Sequence, residues 1–479
     1  MTDRRVVPDQ DAARLILAHA LESVRPGPAL RRHVHYDERA DLLRVDGRSY
    51  PLAGFPEILV VGGGKAAAQT ATELVKILGS SRISGILNVF RSQADVSPSK
   101  RIKLVPADHP IPNEAGAAGA REMIDLLKRA DRRTLILALI SGGGSSLMAL
   151  PVEGVGLDDY QEICRLLLTV PASIDEINSV RKHIDRLKGG RMRKLAENAG
   201  GFVSLVLSDV PITSTGCPDD PSVIASGPTA GDATTFAAAK GVLEKYGLWE
   251  RTPAAIRKYL LANVDRSENE TLDPGSPLLD AERSPYVIFA NNDQAMTAAA
   301  EKSAELGYAP RLIGGPGSAG SKIRDEVRVA IERIFEIVAP HCGPRDGVTF
   351  ASFATDGIDG NSKLAGAVAD SGTRELARRM GLNPGPFLAD FNSADFFERL
   401  GQGIETGPTG TNVADISLVL IRKRGQKLAF IFGGEATVEI SLDGGRKAGR
   451  GGRNTHLALL AVERLARLGR HPRLFGPAV

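Results

Sequence analysis

Aromatic residues are scarce, 5% of 479 residues with a single tryptophan, so the chain has few platforms on which nucleic-acid bases could stack. An excess of either charge is also missing. Sixty Lys and Arg against 57 Asp and Glu leave a net +3, which by itself argues neither for nor against nucleic acid. The basic residues are scattered except between Arg181 and Lys194. Cys164, Cys217 and Cys342 follow no metal-ligand spacing and no pairing pattern, which excludes a disulfide scaffold and suits a reducing cytoplasm. No apolar run approaches the roughly 18 residues of a membrane span. The first residues, MTDRRVVPDQD, lack the apolar core of a signal peptide. These absences predict a cytoplasmic soluble protein with a small-molecule partner, no nucleic acid and no membrane; a homodimer is allowed.

What is present is ordinary for a globular enzyme: 42% hydrophobic and 24% charged residues, and enough length for two cores. Short apolar runs at 58–61, 86–90, 134–140 and 202–207 alternate with helical patterns at 66–78, 114–129 and 176–198. Such alternation predicts an α/β fold with a doubly wound, mostly parallel sheet in an N-terminal domain, 1–264. The polar stretch 265–285 reads as a linker or surface excursion. A second α/β set is expected over 286–479, with strands at 286–290, 310–313, 348–354, 416–421, 428–432 and 437–442 and a last helix at 455–468. Some of these strands are separated only by a turn, so a mixed sheet is predicted there, with the active-site cleft between the two domains.

Nearly every expected strand ends in glycine plus a polar group, where ligands of open α/β sheets bind. The run 58–69, ILVVGGGKAAAQ, brings Gly62, Gly63 and Gly64 to a helix start with Lys65 beside them. Glycines there let backbone N–H groups approach an anion. Gly62, Gly64 and Ala67 fit the dinucleotide pattern G-x-G-x-x-A, but the acidic residue expected about 20 positions on is missing. The Walker A pattern fails as well, because Ala66 follows Lys65. Further such joints are Ser141, Gly142, Gly143, Gly144, Ser145 and Ser146; Asp209 in SDV; Asp356 in TDGIDG; Gly434 and Glu435 in GGEATV; and Arg453 and Asn454 in GRGGRNTH. Backbone donors, a lysine, an arginine and carboxylates together suit phosphoryl transfer better than hydride transfer. Ser145 lacks the nucleophile-elbow pattern, and no histidine has a carboxylate at a suggestive spacing. His109 reads as structural. For the cationic segment 178–191, a solvated face and a reach by Arg181 or Lys188 to a substrate anion both stand open.

The segments VVGGGKAAA, ADHPIPNEAG, LALISGGGSSLMALP, ASIDEINSVRKHIDRLKGGR, LSDV, VIASGPT, ATDGIDG and TGPTGTNVAD together resemble the glycerate 2-kinases of the MOFRL family, some of which carry the label hydroxypyruvate reductase. The resemblance covers nearly the whole chain from about Asp11. It implies ATP- and Mg2+-dependent phosphorylation of D-glycerate at its 2-hydroxyl. By motif, Lys65, Asp209 and Arg453 are similar to the family's active-site lysine, aspartate and arginine. The glycine and serine turns, Asp356, Gly434, Glu435 and Asn454 are then expected around the nucleotide or the acid; the metal ligands stay unassigned. A nicotinamide-dependent reductase and a non-catalytic binding module are the alternatives.

Two features depart from the family pattern. The loop after Asp209 is longer than usual, and this bears on the substrate, since loops set specificity on a fixed scaffold. The order of motifs also differs: GGE and GRGGRN follow TDG and GPTGTN here, where the family places them first. This reads as a circular permutation within the C-terminal domain. It predicts that strands 416–421 and 428–432 pair antiparallel across a charged turn, because a loop that short cannot make a parallel crossover. Residues near 470–479 would be left free, and Glu435 and Arg453 would still face the site with Asp356, Lys65 and Asp209.

Overall fold

A computed structural model describes residues 8–93, 95–96, 98–210, 217–314, 327–343, 345–436 and 449–468. The chain forms two compact units, Pro26–Ala290 and a second made of Met1–Arg25 with Asn291–Val479.

The first unit opens with a three-stranded antiparallel sheet that the sequence reading did not foresee, β1 (Val34–Asp37), β2 (Leu42–Val45) and β3 (Arg48–Pro51). Its main sheet contains β4 (Glu57–Gly64), β5 (Ile83–Phe90), β6 (Ile102–Ala107), β7 (Thr134–Ser141), β8 (Gly201–Leu207) and β9 (Tyr286–Ala290) in the order β6-β5-β4-β7-β8-β9, all parallel. Parallel strands are covered on both faces, and β7 and β8 are buried at every residue, which is why they read as unbroken apolar runs. Between the strands run helices with ordinary start and stop chemistry. In Glu114–Arg129 the Asn113 side chain accepts a bond from the Gly116 N–H at 2.9 Å, and Lys128 and Arg129 stand in the last turn. The strand order reverses direction between β4 and β7, so their carboxyl ends flank the crevice where such sheets take ligands.

Two expectations are corrected in this unit. Residues 286–290 do not open the second set, since β9 pairs with β8. The helix expected over 176–198 breaks into Ile174–His183 and Arg191–Leu195. Between them Gly189 (φ +58°) and Gly190 (φ +74°) take left-handed turns that a helix cannot hold, and the Asp185 carboxylate draws off the Leu187 N–H at 2.9 Å. The stretch 265–285 is a largely exposed surface excursion, one of the two readings given to it, and is tied in at its middle: Thr271 and Leu272 are buried, and Leu272 bonds to Gly189 and Asp232 through its backbone.

The second unit has a mixed sheet of β10 (Ala309–Ile313), β11 (Gly347–Ala354), β12 (Gly366–Asp370), β13 (Gly403–Ile404), β14 (Asp415–Lys423) and β15 (Gln426–Gly434), ordered β10-β15-β14-β11-β12-β13. Only β10 and β15 are parallel. As expected, β14 and β15 pair antiparallel, with Lys423 opposite Gln426 and the tip at Arg424 and Gly425 exposed. Gly425 (φ +79°) supplies the left-handed residue of that turn. Helices Val327–Val338 and Arg453–Leu468 cover the sheet over a core containing Phe350, Phe396, Phe397 and Phe430. Helix Asp9–Val24 belongs here too: Asp9 pairs with Arg422 at 2.6 Å. The strand expected at 437–442, residues 470–479, and most of the loop after Asp209 lie outside the described residues.

Candidate active site

In the first unit the turns after β4 and β7 lock together by backbone. The Lys65 N–H bonds to the Gly142 carbonyl at 2.8 Å, and the Ala66 N–H to the Ser141 Oγ at 3.0 Å. A side chain at Gly64 (φ +142°) would stand 2.6 Å from the Ser141 carbonyl oxygen, so only glycine admits this approach. Gly62 and Gly63 are pressed as closely, against Leu139 and Asn88. Behind the turn, buried Asn88 donates to the Gly116 and Leu147 carbonyls at 2.7 Å each. Gly142 leaves room for Asp209: a Cβ there would lie 3.0 Å from one carboxylate oxygen and nearer still to the other. Beyond Gly143, Lys65 Cγ and His109 Cδ2 would lie 3.3 and 3.4 Å from a side chain at that position.

Lys65, the two glycine turns, Asp209 and His109 are thus brought together at the strand reversal. Among the described residues Lys65 makes no ion pair. His109 keeps solvent access yet stands in a crowded place; desolvation, then Lys65 and Arg181, push its imidazole down to about 4. It is therefore neutral at physiological pH. Ser146 donates to the Pro110 carbonyl at 2.6 Å, and Ser145 shares a hydrogen bond with Ser226 at 2.7 Å. Ala225 (φ +51°) and Ser226 (φ +61°) both hold left-handed backbone without being glycine, a strain typical of functional turns. Lys188 is removed from the candidates: it is buried and paired with Asp185, which also accepts from the Tyr160 hydroxyl at 3.1 Å.

In the second unit Arg453 opens helix Arg453–Leu468, and its guanidinium is already engaged. It grips Asp415 through Nε and through Nη2 at 3.0 Å, and pairs with Glu435 through Nη1. Asp359 caps the same helix, accepting from the Asn454 and Thr455 N–H groups at 2.9 and 2.7 Å. Asn454 accepts from Ser352 at 2.6 Å and is buried. Gly360 and Gly451 touch backbone to backbone, joining the TDGIDG loop to the GRGG turn, while Asp356 bonds within its own loop to the Ile358 N–H. Gly434 (φ +135°) ends β15 beside this group. Asp415 and Asp359 are the participants the sequence reading missed, although Asp415 closes the TGPTGTNVAD segment. Among the described residues no cluster of three or more His, Cys, Asp or Glu is arranged to hold a metal ion.

Burial pushes the Asp415 carboxyl up, to about 7, against the pull of Arg453. Burial works to lower Arg453, but Asp415 and then Glu435 hold it above the ordinary arginine value. Arg453→Met is expected to destabilise the fold by about 3–5 kcal/mol, the cost of stranding one member of a buried pair. Burial already holds the Asp415 carboxyl protonated up to about 7 and removal of Arg453 raises it further, so the loss should be small at pH 5 and grow from pH 7 to pH 9. Adding Asp415→Asn should recover part of it. Thermal melting of the single and double variants across that range is the check; a pH-independent loss would show that the Asp415 charge is not its source.

A parallel sheet in the 3-2-1-4-5-6 order, with a lysine and two interlocked glycine turns at its reversal point, defines an α/β protein of the doubly wound class, in which ligands bind beyond the strand ends. More narrowly, the chain belongs to the MOFRL family: a domain of unknown function, DUF4147, matches residues 12–261, and the MOFRL family matches residues 328–415. A glycerate 2-kinase of Pyrococcus horikoshii is 30% identical, over 86% of this chain and 97% of its own. A chain of Agrobacterium vitis under a hydroxypyruvate reductase label is 32% identical, over 76% of this chain and 99% of its own. The crystal structure of a glycerate kinase from Thermotoga maritima superposes with a TM-score of 0.69 at 27% identity, covering 86% of this chain and 99% of the other.

Proposed function

We propose that the protein is a glycerate kinase that transfers the γ-phosphoryl group of ATP, in the presence of Mg2+, to the 2-hydroxyl of D-glycerate. The observation that carries this reading is the placement of Lys65, the Gly142 turn and Asp209 at one strand-reversal point, in a chain 30% identical to a glycerate 2-kinase over most of its length. Asp209 would accept the hydroxyl proton as the C2 oxygen attacks the γ-phosphorus, and the bond to the β,γ-bridging oxygen breaks to release ADP. Lys65 would neutralise charge on the transferring group; a unit pair at about 4 Å is worth on the order of 4 kcal/mol at an effective dielectric of 20. The glycine turns fit phosphate because side chains there would fill the space next to the backbone donors. Mg2+ fits as an ion carried on the nucleotide, since magnesium commonly takes one or two carboxylates, waters and substrate phosphates rather than a protein cage. In the second unit Arg453 is the proposed anion holder, exchanging a protein carboxylate for a substrate anion through its two-pronged fork. An ATP donor and three free cysteines suit the cytoplasm.

The test is phosphorus NMR of the purified protein with D-glycerate, ATP and Mg2+. Accumulation of 2-phosphoglycerate is the expected result. NADH oxidation with hydroxypyruvate and no ADP would replace this reading with the reductase, and binding without turnover would leave a sensor.

The permuted motif order is part of the same reading. Asp359, just after β11, caps the start of helix Arg453–Leu468, and 16 residues at about 1.5 Å each bring that helix back roughly the length of the eight-residue β11. A short join from the helix end to β11 therefore suits the family's order. A chain rearranged to carry that join and opened at the Arg424–Gly425 turn is expected to fold and to phosphorylate glycerate at a comparable rate. An insoluble or inactive product would count against the permutation.

A further inference from the structure

One face of helix Ile174–His183 carries two buried donor atoms, the Asn178 amide nitrogen and the Arg181 Nε, without an acceptor among the described residues. Asn178 is 2% exposed; its Oδ1 accepts from Ser226 at 2.8 Å, and its amide nitrogen has no hydrogen-bond partner. Ser226 in turn meets Ser145 of the glycine turn at 2.7 Å, so this helix face is keyed to the turn after β7. Three residues on, and hence on the same face, Arg181 also has a buried Nε without a partner. Burial raises the Cys164 thiol beside it, and the charge of Arg181 and a hydrogen bond with the Cys164 side chain oppose that rise, so it is the Nε of Arg181 that is left without an acceptor. Arg181 also acts on His109, which stands with Lys65 around Gly143. A buried amide donor and a buried guanidinium donor without acceptors each carry a cost of about 1–3 kcal/mol unless a ligand supplies oxygens.

The geometry points to Asn178 and Arg181 as the subsite that receives the carboxylate of the 2-hydroxy acid. This rests on the kinase reading of the Lys65 turn. A guanidinium offers two N–H groups in one plane, the complement of the two oxygens of a carboxylate, whereas Lys65 is a compact charge suited to a phosphoryl group. The two ends of the acceptor would then be sorted by donor type, with acid at Arg181 and Asn178 and the reacting hydroxyl towards Asp209 and Lys65. Neutral analogues of the same shape are rejected because they leave the guanidinium unpaired.

Steady-state kinetics of Arg181→Lys, Arg181→Met and Asn178→Leu with D-glycerate and with its neutral amide test the assignment. Arg181→Lys is expected to raise KM for D-glycerate roughly 10- to 100-fold with KM for ATP unchanged, the range of one lost charged hydrogen bond. Arg181→Met should cut the preference for acid over amide by a similar factor. A rise in KM for ATP alone would hand the subsite to a phosphate, and unchanged KM values in variants that melt normally would reduce both residues to scaffolding. If the wild-type protein does not phosphorylate D-glycerate, the kinase reading falls separately. Calorimetric binding of D-glycerate and hydroxypyruvate then decides the subsite: binding to wild type lost in Arg181→Lys upholds it, and binding equal in both overturns it.

Discussion

Lys65→Ala is expected to lower kcat on D-glycerate by about 10²- to 10³-fold, with KM for the acid changed little. The loss falls on kcat because charge on the transferring group is stabilised most in the transition state, so a cation aimed there contributes least to ground-state binding. The substitution should not unfold the protein. Lys65 makes no ion pair among the described residues, and the Lys65 N–H bond to Gly142 that holds the turn belongs to the backbone and survives it. Steady-state kinetics with melting curves check both halves. Near-normal kcat would remove Lys65 from the chemistry.

The second large effect is reached through space rather than charge. Asp209→Asn, which cannot accept the hydroxyl proton, should lose about 10²- to 10⁴-fold in kcat. Gly142→Ala should approach that loss without touching the carboxylate, because the new methyl would occupy the place of the Asp209 oxygens and push them aside. Displacement of a catalytic group by about 1 Å can cost on the order of 10²-fold. The two substitutions should combine less than additively, since both disable one group. Full additivity in the double variant would mean that Gly142 acts on something other than Asp209.

How much of this was legible beforehand depends on range. Runs such as TLILALIS announce a buried parallel strand, and the glycines after them announce close backbone approach, because both signals are local. The antiparallel pairing of β14 with β15 could be argued from the shortness of the loop alone. Asp415 could not be picked out, since its importance comes from Arg453, 38 positions away, and from burial that no local pattern records. The same holds for Ser226, whose link to Ser145 spans 81 positions. The break after His183 leaves no local mark, because Lys, Arg and Leu around it are good helix formers, and the bonds that the Asp185 carboxylate accepts from the Leu150 N–H and the Tyr160 hydroxyl overrule their propensity.

Helix Asp9–Val24 sets a timetable for biosynthesis. Its partners are the helix Asn292–Glu305 and Arg422, the latter 413 positions downstream of Asp9. At about 5–20 residues per second the ribosome needs roughly 20–80 s to deliver that arginine. Until helix Asn292–Glu305 emerges, the apolar face of the first helix, Ile16, Leu17, Ala20 and Leu21, has nothing of its own unit to cover it, while the whole of 26–290 can already have folded. A segment made before 26–290 is thus buried only after it, and until then the nascent chain presents a greasy amphipathic helix to whatever waits at the exit tunnel.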